Sequence, residues 1–136
     1  MQARTVTRSI DVETSPDLVL DVVRDPARIP TWAPAFADSI EPDGDGWRVT
    51  RNNRAFHVRV KVDHSMRCVN IVRDIAPAEE GGLFMRILPR PGGGSVIVAT
   101  IPIVPGSDAD RTGVILNDEL DRIATLVAHA GGDRQS

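Results

Sequence analysis

Polar and apolar positions alternate from Arg4 to Glu13, with Val6, Ile10 and Val12 on one side and Thr5, Thr7, Ser9 and Asp11 on the other. A period of two marks a half-buried strand. Arg8 interrupts the apolar lane and leaves that end of it open to solvent. Ser15-Pro16-Asp17 then reads as a helix start. Serine suits the N-cap, proline the first helical position, and an acid the positive end of the helix dipole. Leu18, Val19, Val22 and Val23 supply a short helical stripe. Asp25-Pro26 repeats the cap signal and opens a second short helix, about Pro26 to Phe36, broken up by Pro30 and Pro34. Trp32 and Phe36, four residues apart, share a face of it.

The remaining pattern is strands joined by turn residues. Strand two covers about Asp38 to Glu41, and Pro42-Asp43-Gly44-Asp45-Gly46 is a hairpin signal. Strand three runs from about Trp47 to Arg51, followed by a turn at Asn52-Asn53. In strand four, Phe56, Val58, Val60 and Val62 alternate with His57, Arg59, Lys61 and Asp63, giving one dry and one wet face. A turn near His64-Ser65 leads to strand five, about Met66 to Ile75. A turn over Pro77 to Gly82 leads to strand six, about Leu83 to Pro89, and Pro91 to Gly94 leads to strand seven, about Ser95 to Val104. The last element starts at Ser107 or Asp108. Leu116, Leu120, Ile123, Val127 and Ala130 recur on one face of an amphipathic helix that ends at Gly131-Gly132, with Asp133 to Ser136 frayed beyond it.

The order is therefore strand, two short helices, six strands, long helix. Short turns make strands two to seven an antiparallel meander. A seven-stranded sheet with one dry face must cover it, and only the final helix is long enough to do so. A twisted sheet cannot lie flat on one helix, so it curls around it. The fold class is α+β, a curved antiparallel sheet wrapped around a long C-terminal helix. The volume between them is hard to fill with only 4% aromatic residues, which predicts an apolar cavity.

Composition narrows the function. The 136 residues suit one domain, residues 1–136, with 41% hydrophobic and 26% charged residues. There is no tyrosine, so any aromatic wall comes from Trp32, Trp47, Phe36, Phe56 and Phe84. A net charge of −3 and a pI near 5.5 disfavour nucleic-acid binding, and Arg48, Arg51 and Arg54 read as a solvated hairpin tip. Lys61 is the one lysine and lies in a wet lane, which disfavours Schiff-base chemistry. A single cysteine, Cys68, excludes an internal disulfide and a Cys-based zinc site. The N-terminus lacks a signal-peptide core, and no apolar run approaches the roughly 18 residues of a membrane span. The expected location is the cytoplasm.

Val12-Glu13-Thr14-Ser15-Pro16-Asp17-Leu18-Val19, then Asp25-Pro26 and Ile29-Pro30-Thr31-Trp32, resembles the START/Bet v 1-like (SRPBCC) superfamily, whose small bacterial members are labelled polyketide cyclase/dehydrase-like. The local similarity lies in residues 10–36, and the order of elements extends it over the whole chain. The resemblance implies the helix-grip fold with a hydrophobic ligand cavity between sheet and C-terminal helix. Its members include polyketide cyclases, lipid and hormone carriers, oxygenase subunits and chaperone cofactors. The oxygenase type needs a two-histidine, one-carboxylate iron site. The three histidines here are far apart in sequence, so neither a metal nor any other cofactor is expected.

The expected cavity residues are Trp32, Phe36, Phe56, Val58, Asn70, Arg86, Thr100, Leu116 and Leu120. Arg86 would bind a carboxylate, phosphate or enolate if its lane faces inward, but Met85 and Ile87 form the more convincing dry lane. Asn70 shares a lane with Met66, Cys68 and Val72, and is placed inward because Arg67 and Arg73 flank the rival lane of Val69 and Ile71. Thr100 shares a lane with Val96 and Val98, against Ile97, Ala99 and Ile101. Trp32 and Phe36 cap the cavity mouth or pack in the core. Cys68 is a small core or cavity-lining residue. His57 reads as a surface histidine, His64 as a turn residue, and His129 as a helix-end cation. Gly92-Gly93-Gly94-Ser95 lacks the lysine and following helix of a phosphate loop.

The expected partner is a small hydrophobic molecule, aromatic or polyketide-like. The protein is then either a cofactor-free cyclase or dehydratase, a non-catalytic carrier, or an interaction module with a closed cavity. Asn70, Arg86 and Thr100 all inward favour the enzyme, and all outward favour the carrier. A homodimer is compatible with the sequence.

Overall fold

The computed structural model describes residues 4–74 and 81–135, the last four as backbone only. The elements run β1 (Thr5–Val12), α1 (Pro16–Val23), a 3-10 turn (Pro26–Arg28), α2 (Ile29–Trp32), β2 (Ser39–Asp43), β3 (Gly46–Arg51), β4 (Arg54–Asp63), β5 (Cys68–Arg73), β6 (Gly82–Pro89), β7 (Ser95–Pro102) and α3 (Ala109–Gln135). The seven strands form one curved antiparallel sheet in the order β1-β7-β6-β5-β4-β3-β2. Strands two to seven are a meander, and β1 closes the sheet beside β7. This is the helix-grip arrangement, with α1 and α2 between the first two strands.

Local chemistry explains most boundaries. Asn52 and Asn53 both have positive φ, 52° and 63°, the mirror-image turn that joins two twisted strands in two residues. The β2–β3 connection is tighter than the sequence suggested. Only Gly44 and Asp45 turn, Pro42 and Asp43 stay in β2, and Gly44 takes φ 62°. Strand five begins later than expected, at Cys68, because Arg67 sits at φ 51° and breaks the extended run. Its expected end at Ile75, and most of the turn that follows, lie outside the described residues. Strand seven stops at Pro102, not Val104.

The expected single helix over Pro26–Phe36 is instead a 3-10 turn followed by the four residues of α2. Asp25 caps the turn by accepting from the Ala27 amide at 3.1 Å. Ser15 occupies the N-cap of α1 but makes no side-chain capping bond. Asp108 caps α3, accepting from the Arg111 amide at 3.0 Å. That helix does not end at Gly131-Gly132 as the glycines suggested; its backbone continues to Gln135.

The inner face of the sheet carries Val6, Val12, Val49, Val58, Val69, Ile71, Met85, Ile87, Ile97 and Ala99, all buried. Leu116, Leu120, Ile123 and Val127 of α3 join the same cluster, as do Val19 and Val23 of α1 and Ile29 and Trp32 of α2. Helix α3 lies closest to β1, α1 and α2. Thr14 ties it down by donating from Oγ1 to the Val127 carbonyl at 3.1 Å. Close approach at one edge of a curved sheet leaves the helix standing off the middle strands. The side chains there are of modest size, so space remains between helix and sheet.

Candidate functional site

That space is a cavity of about 410 Å³. Its walls come from the α2 segment (Trp32, Ala33, Phe36), β5 (Ile71, Arg73), the start of β6, the end of β7 and Glu119 of α3. A volume of this size falls in the range of small-molecule sites. Exposure distinguishes floor from mouth. Trp32, Ala33, Ile71 and Glu119 are buried, whereas Arg73, Pro102 and Val104 are exposed.

The lining is mainly apolar, which makes its polar groups informative. Trp32 is fully buried, yet its indole Nε1–H has no hydrogen-bond partner among the described residues. Glu119 retains only 6% exposure and makes no hydrogen bond or ion pair among the described residues. Desolvation, and secondarily the adjacent Asp118 charge, raise its pKa from 4.5 to about 7. Near neutrality the carboxyl is therefore divided between an acid that donates and a carboxylate that accepts. Buried polar groups are normally paired, so two unpaired groups lining one cavity call for a partner that enters from outside.

The mouth is built from aromatic and cationic contacts. Phe36 and Phe56 meet edge to face with ring centroids 5.4 Å apart. The Arg73 guanidinium lies 4.6 Å from the Phe56 centroid and 5.9 Å from that of Phe36. Cation–π contact holds such a group by its face and leaves its N–H edge free. No carboxylate pairs with Arg73 among the described residues.

Of the residues expected at the cavity, Trp32 and Phe36 line it. Phe56 lies on the inner face and reaches the site through Phe36 and Arg73. Val58, Leu116 and Leu120 are buried in the core cluster rather than on the cavity wall.

The register puts Asn70, Arg86 and Thr100 on the outer face, which corrects the inward reading of Asn70, agrees with Met85 and Ile87 as the dry lane beside Arg86, and turns Thr100 outward, so none of the three expected cavity positions lies in the cavity. Val69 pairs with Met85, and Met85 with Ala99, along the buried lane. Asn70 therefore lies beside Lys61 and Phe84 on the outer face. Arg86 lies on that face beside Cys68 and Val98 and is exposed. Thr100 shares a hydrogen bond of 3.0 Å with the outer-face Thr7. Cys68 is likewise on the outer face, half-buried, and not in the cavity.

The arginines that flank Val69 and Ile71 do not mark an outer lane. Arg67 and Arg73 do belong to the buried lane, but they sit at its ends. Arg67 pairs there with Asp17 of α1 at 3.0 Å, and Arg73 reaches the cavity mouth. Glu119 was missed, although a signal existed. It stands three residues after Leu116 and four before Ile123, within the apolar stripe of α3.

Outside the cavity, His57 Nδ1 is 3.1 Å from Asp74 Oδ2, and its Nε2 is 3.1 Å from the Asp43 carbonyl. The Asp43 carbonyl bond first, then Asp74, raise its pKa above 6.5. Among the described residues, no cluster of His, Cys, Asp or Glu could hold a metal ion. No helix among them is long and apolar enough to cross a membrane.

A family model described as polyketide cyclase / dehydrase and lipid transport matches residues 3–132. No curated protein matches the chain in sequence. Among solved structures, the protein XoxI from Bacillus cereus aligns at 16% identity and a TM-score of 0.71, covering 98% of this chain and 99% of that one. The Zhui aromatase/cyclase from Streptomyces sp. R1128 aligns at 16% identity and 0.65, covering 92% and 93%. A START superfamily protein from Mycobacterium smegmatis aligns at 12% identity and 0.63, covering 96% and 99%. At these identities the likeness is one of fold.

Proposed function

The chain belongs to the polyketide cyclase / dehydrase and lipid transport family, and from that premise we propose that it binds one small, mostly apolar molecule in the cavity between α3 and the sheet. One observation carries this reading. Among the described residues, Trp32, whose Nε1–H is buried without a partner, and Glu119, whose carboxyl makes no hydrogen bond or ion pair, line the same 410 Å³ cavity. Leaving a donor such as the indole N–H buried and unsatisfied costs about 1–3 kcal/mol, and a ligand with a matching group recovers that cost while its apolar body fills the space. A closed interaction module would have no use for such a cavity. Native mass spectrometry of freshly purified protein is expected to reveal a co-purified small molecule, and a hydrophobic fluorescent probe to bind at one per chain. A protein that carries no ligand and binds no probe overturns the proposal.

A second reading, cofactor-free cyclisation or dehydration, is favoured by Glu119 itself. Asn70, Arg86 and Thr100 lie outside the cavity, and their outward placement on its own favours a carrier. Glu119 replaces them. A carboxyl titrating near neutrality is suited to general acid–base catalysis. As carboxylate it would take a proton from the carbon beside a ligand carbonyl, with Trp32 Nε1–H bonding the oxygen where charge develops. As acid it would return the proton to a departing hydroxyl, which leaves as water. The aromatase/cyclase description of one structural neighbour is consistent with this chemistry. In a polyketone turnover assay, Glu119→Gln should abolish product while retaining probe binding. Undiminished turnover would leave the carrier reading.

A further inference from the structure

The cavity differs at its two ends. At the mouth stands Arg73, exposed, stacked on Phe36 and Phe56, and without a carboxylate partner among the described residues. At the floor stand Trp32 and Glu119, both buried, one a pure donor and the other a carboxyl. Between them lie Ala33, Ile71, Leu83 and Ile101, with no polar side chain.

Resting on the binding reading above, we propose that the cavity holds an amphiphile by both ends, with an anionic group at Arg73 and a neutral hydroxyl or carbonyl at the Trp32–Glu119 floor. The floor rejects a second anion. Bringing a ligand carboxylate into a dry pocket beside Glu119 sets two like charges together, an arrangement that costs several kcal/mol at a protein interface. A hydroxyl suits the floor in either protonation state of Glu119, because it both donates and accepts. At the mouth the guanidinium edge, which has no carboxylate partner among the described residues, matches a carboxylate or phosphate in two-point contact. A hydrocarbon with no end group offers none of the three polar residues a partner.

The charged surroundings of Glu119 are few. Asp118 is its neighbour on α3, and Arg73 lines the same cavity. On β1, Arg8 lies against Gly113, well along the helix from Glu119. The charged residues of α1, Asp17 and Asp21, and Arg24 at its C-cap are exposed, and α2 has none.

The test uses four ten-carbon probes and the intact protein in titration calorimetry at pH 8.5: decan-1-ol, decanoate, 10-hydroxydecanoate and decane-1,10-dioate. The hydroxy acid is expected to bind about tenfold or more tightly than the alcohol or the dioate. Lowering the pH to 6 should narrow the gap between hydroxy acid and dioate. Arg73→Gln should bring the hydroxy acid down to the level of the alcohol. Glu119→Gln, close in size to the native residue and checked for folding by circular dichroism, should relieve the penalty on the dioate. A dioate that matches the hydroxy acid at pH 8.5, or an Arg73→Gln protein with an unchanged preference order, overturns the two-ended proposal while leaving cavity binding intact. If none of the four probes binds, and no fluorescent probe binds either, the binding reading fails with it.

Discussion

Phe36 stands edge-on to Phe56 at a centroid distance of 5.4 Å, and this contact joins the segment after α2 to the inner face of β4. Arg73 covers both rings, so the three side chains form one wall at the cavity mouth. An aromatic pair of this geometry contributes about 0.5–1.5 kcal/mol beyond the area it buries. Phe36→Leu is expected to lower unfolding stability by about 1 kcal/mol and to weaken binding of a hydrophobic probe. Denaturant titration and fluorescence titration check the two effects separately.

Glu119 makes stability depend on pH. Its pKa is 4.5 in the unfolded reference and about 7 when buried. The folded form binds the extra proton between those values. The stability it permits is therefore fully present below pH 4.5 and is lost as pH rises through about 7. The loss amounts to roughly 3 kcal/mol at 1.36 kcal/mol per pK unit. Glu119→Gln carries no such charge and should be more stable than the native protein by about that amount at pH 8.5, with the gap closing toward pH 4. Chemical denaturation at the two pH values measures it in the absence of ligand.

His57 acts in the same direction along the pH scale, through a different cause. Hydrogen bonds to the Asp43 carbonyl and to Asp74 favour its protonated form in the folded state. That stabilisation is present below 6.5 and is lost as pH rises through the elevated folded pKa. His57→Gln should therefore be destabilising at pH 5.5 and nearer neutral at pH 9. Proton NMR titration of the imidazole should also show its pKa falling toward 6.5 in Asp74→Asn.

Gly82 begins β6 at φ 149°, and a Cβ there would stand 2.6 Å from the Ile71 carbonyl oxygen. Neither the conformation nor the neighbouring strand can accommodate alanine without a backbone shift. Gly82→Ala is expected to cost more than about 1 kcal/mol and to distort the cavity wall it helps to form. Thermal unfolding together with probe binding reads both.

The outer-face residues provide the opposite expectation. Asn70→Ala and Arg86→Ala should leave probe binding unchanged and alter stability by no more than about 0.5 kcal/mol. Fluorescence titration of either variant checks this. Weaker binding would place one of them at the ligand after all.

Much of the architecture was legible in the residues themselves. The alternation from Phe56 to Asp63 survives as β4, and the Leu116, Leu120, Ile123, Val127 stripe is the buried face of α3. The asparagine pair at 52 and 53 marks a turn that only residues tolerant of positive φ make readily. These signals are local, because hydrogen bonding along a helix or across a short hairpin turns residue spacing directly into a facing direction. The same locality fixed the order of elements, and with it the family.

What the sequence could not decide was the choice between two apolar lanes in β5 to β7. There both lanes carry valine, isoleucine or phenylalanine, so alternation alone has two solutions that differ by a one-residue slip. Pairing settled it: Val69 opposite Met85, and Met85 opposite Ala99, turn one lane toward α3 and put Asn70, Arg86 and Thr100 behind the sheet. The cavity's chemistry is tertiary for the same reason. The local sequence sets Glu119 within the apolar stripe of α3 but does not say what lies opposite it. It becomes a buried, shifted carboxyl only because the curved sheet and the α2 segment close over that turn of α3.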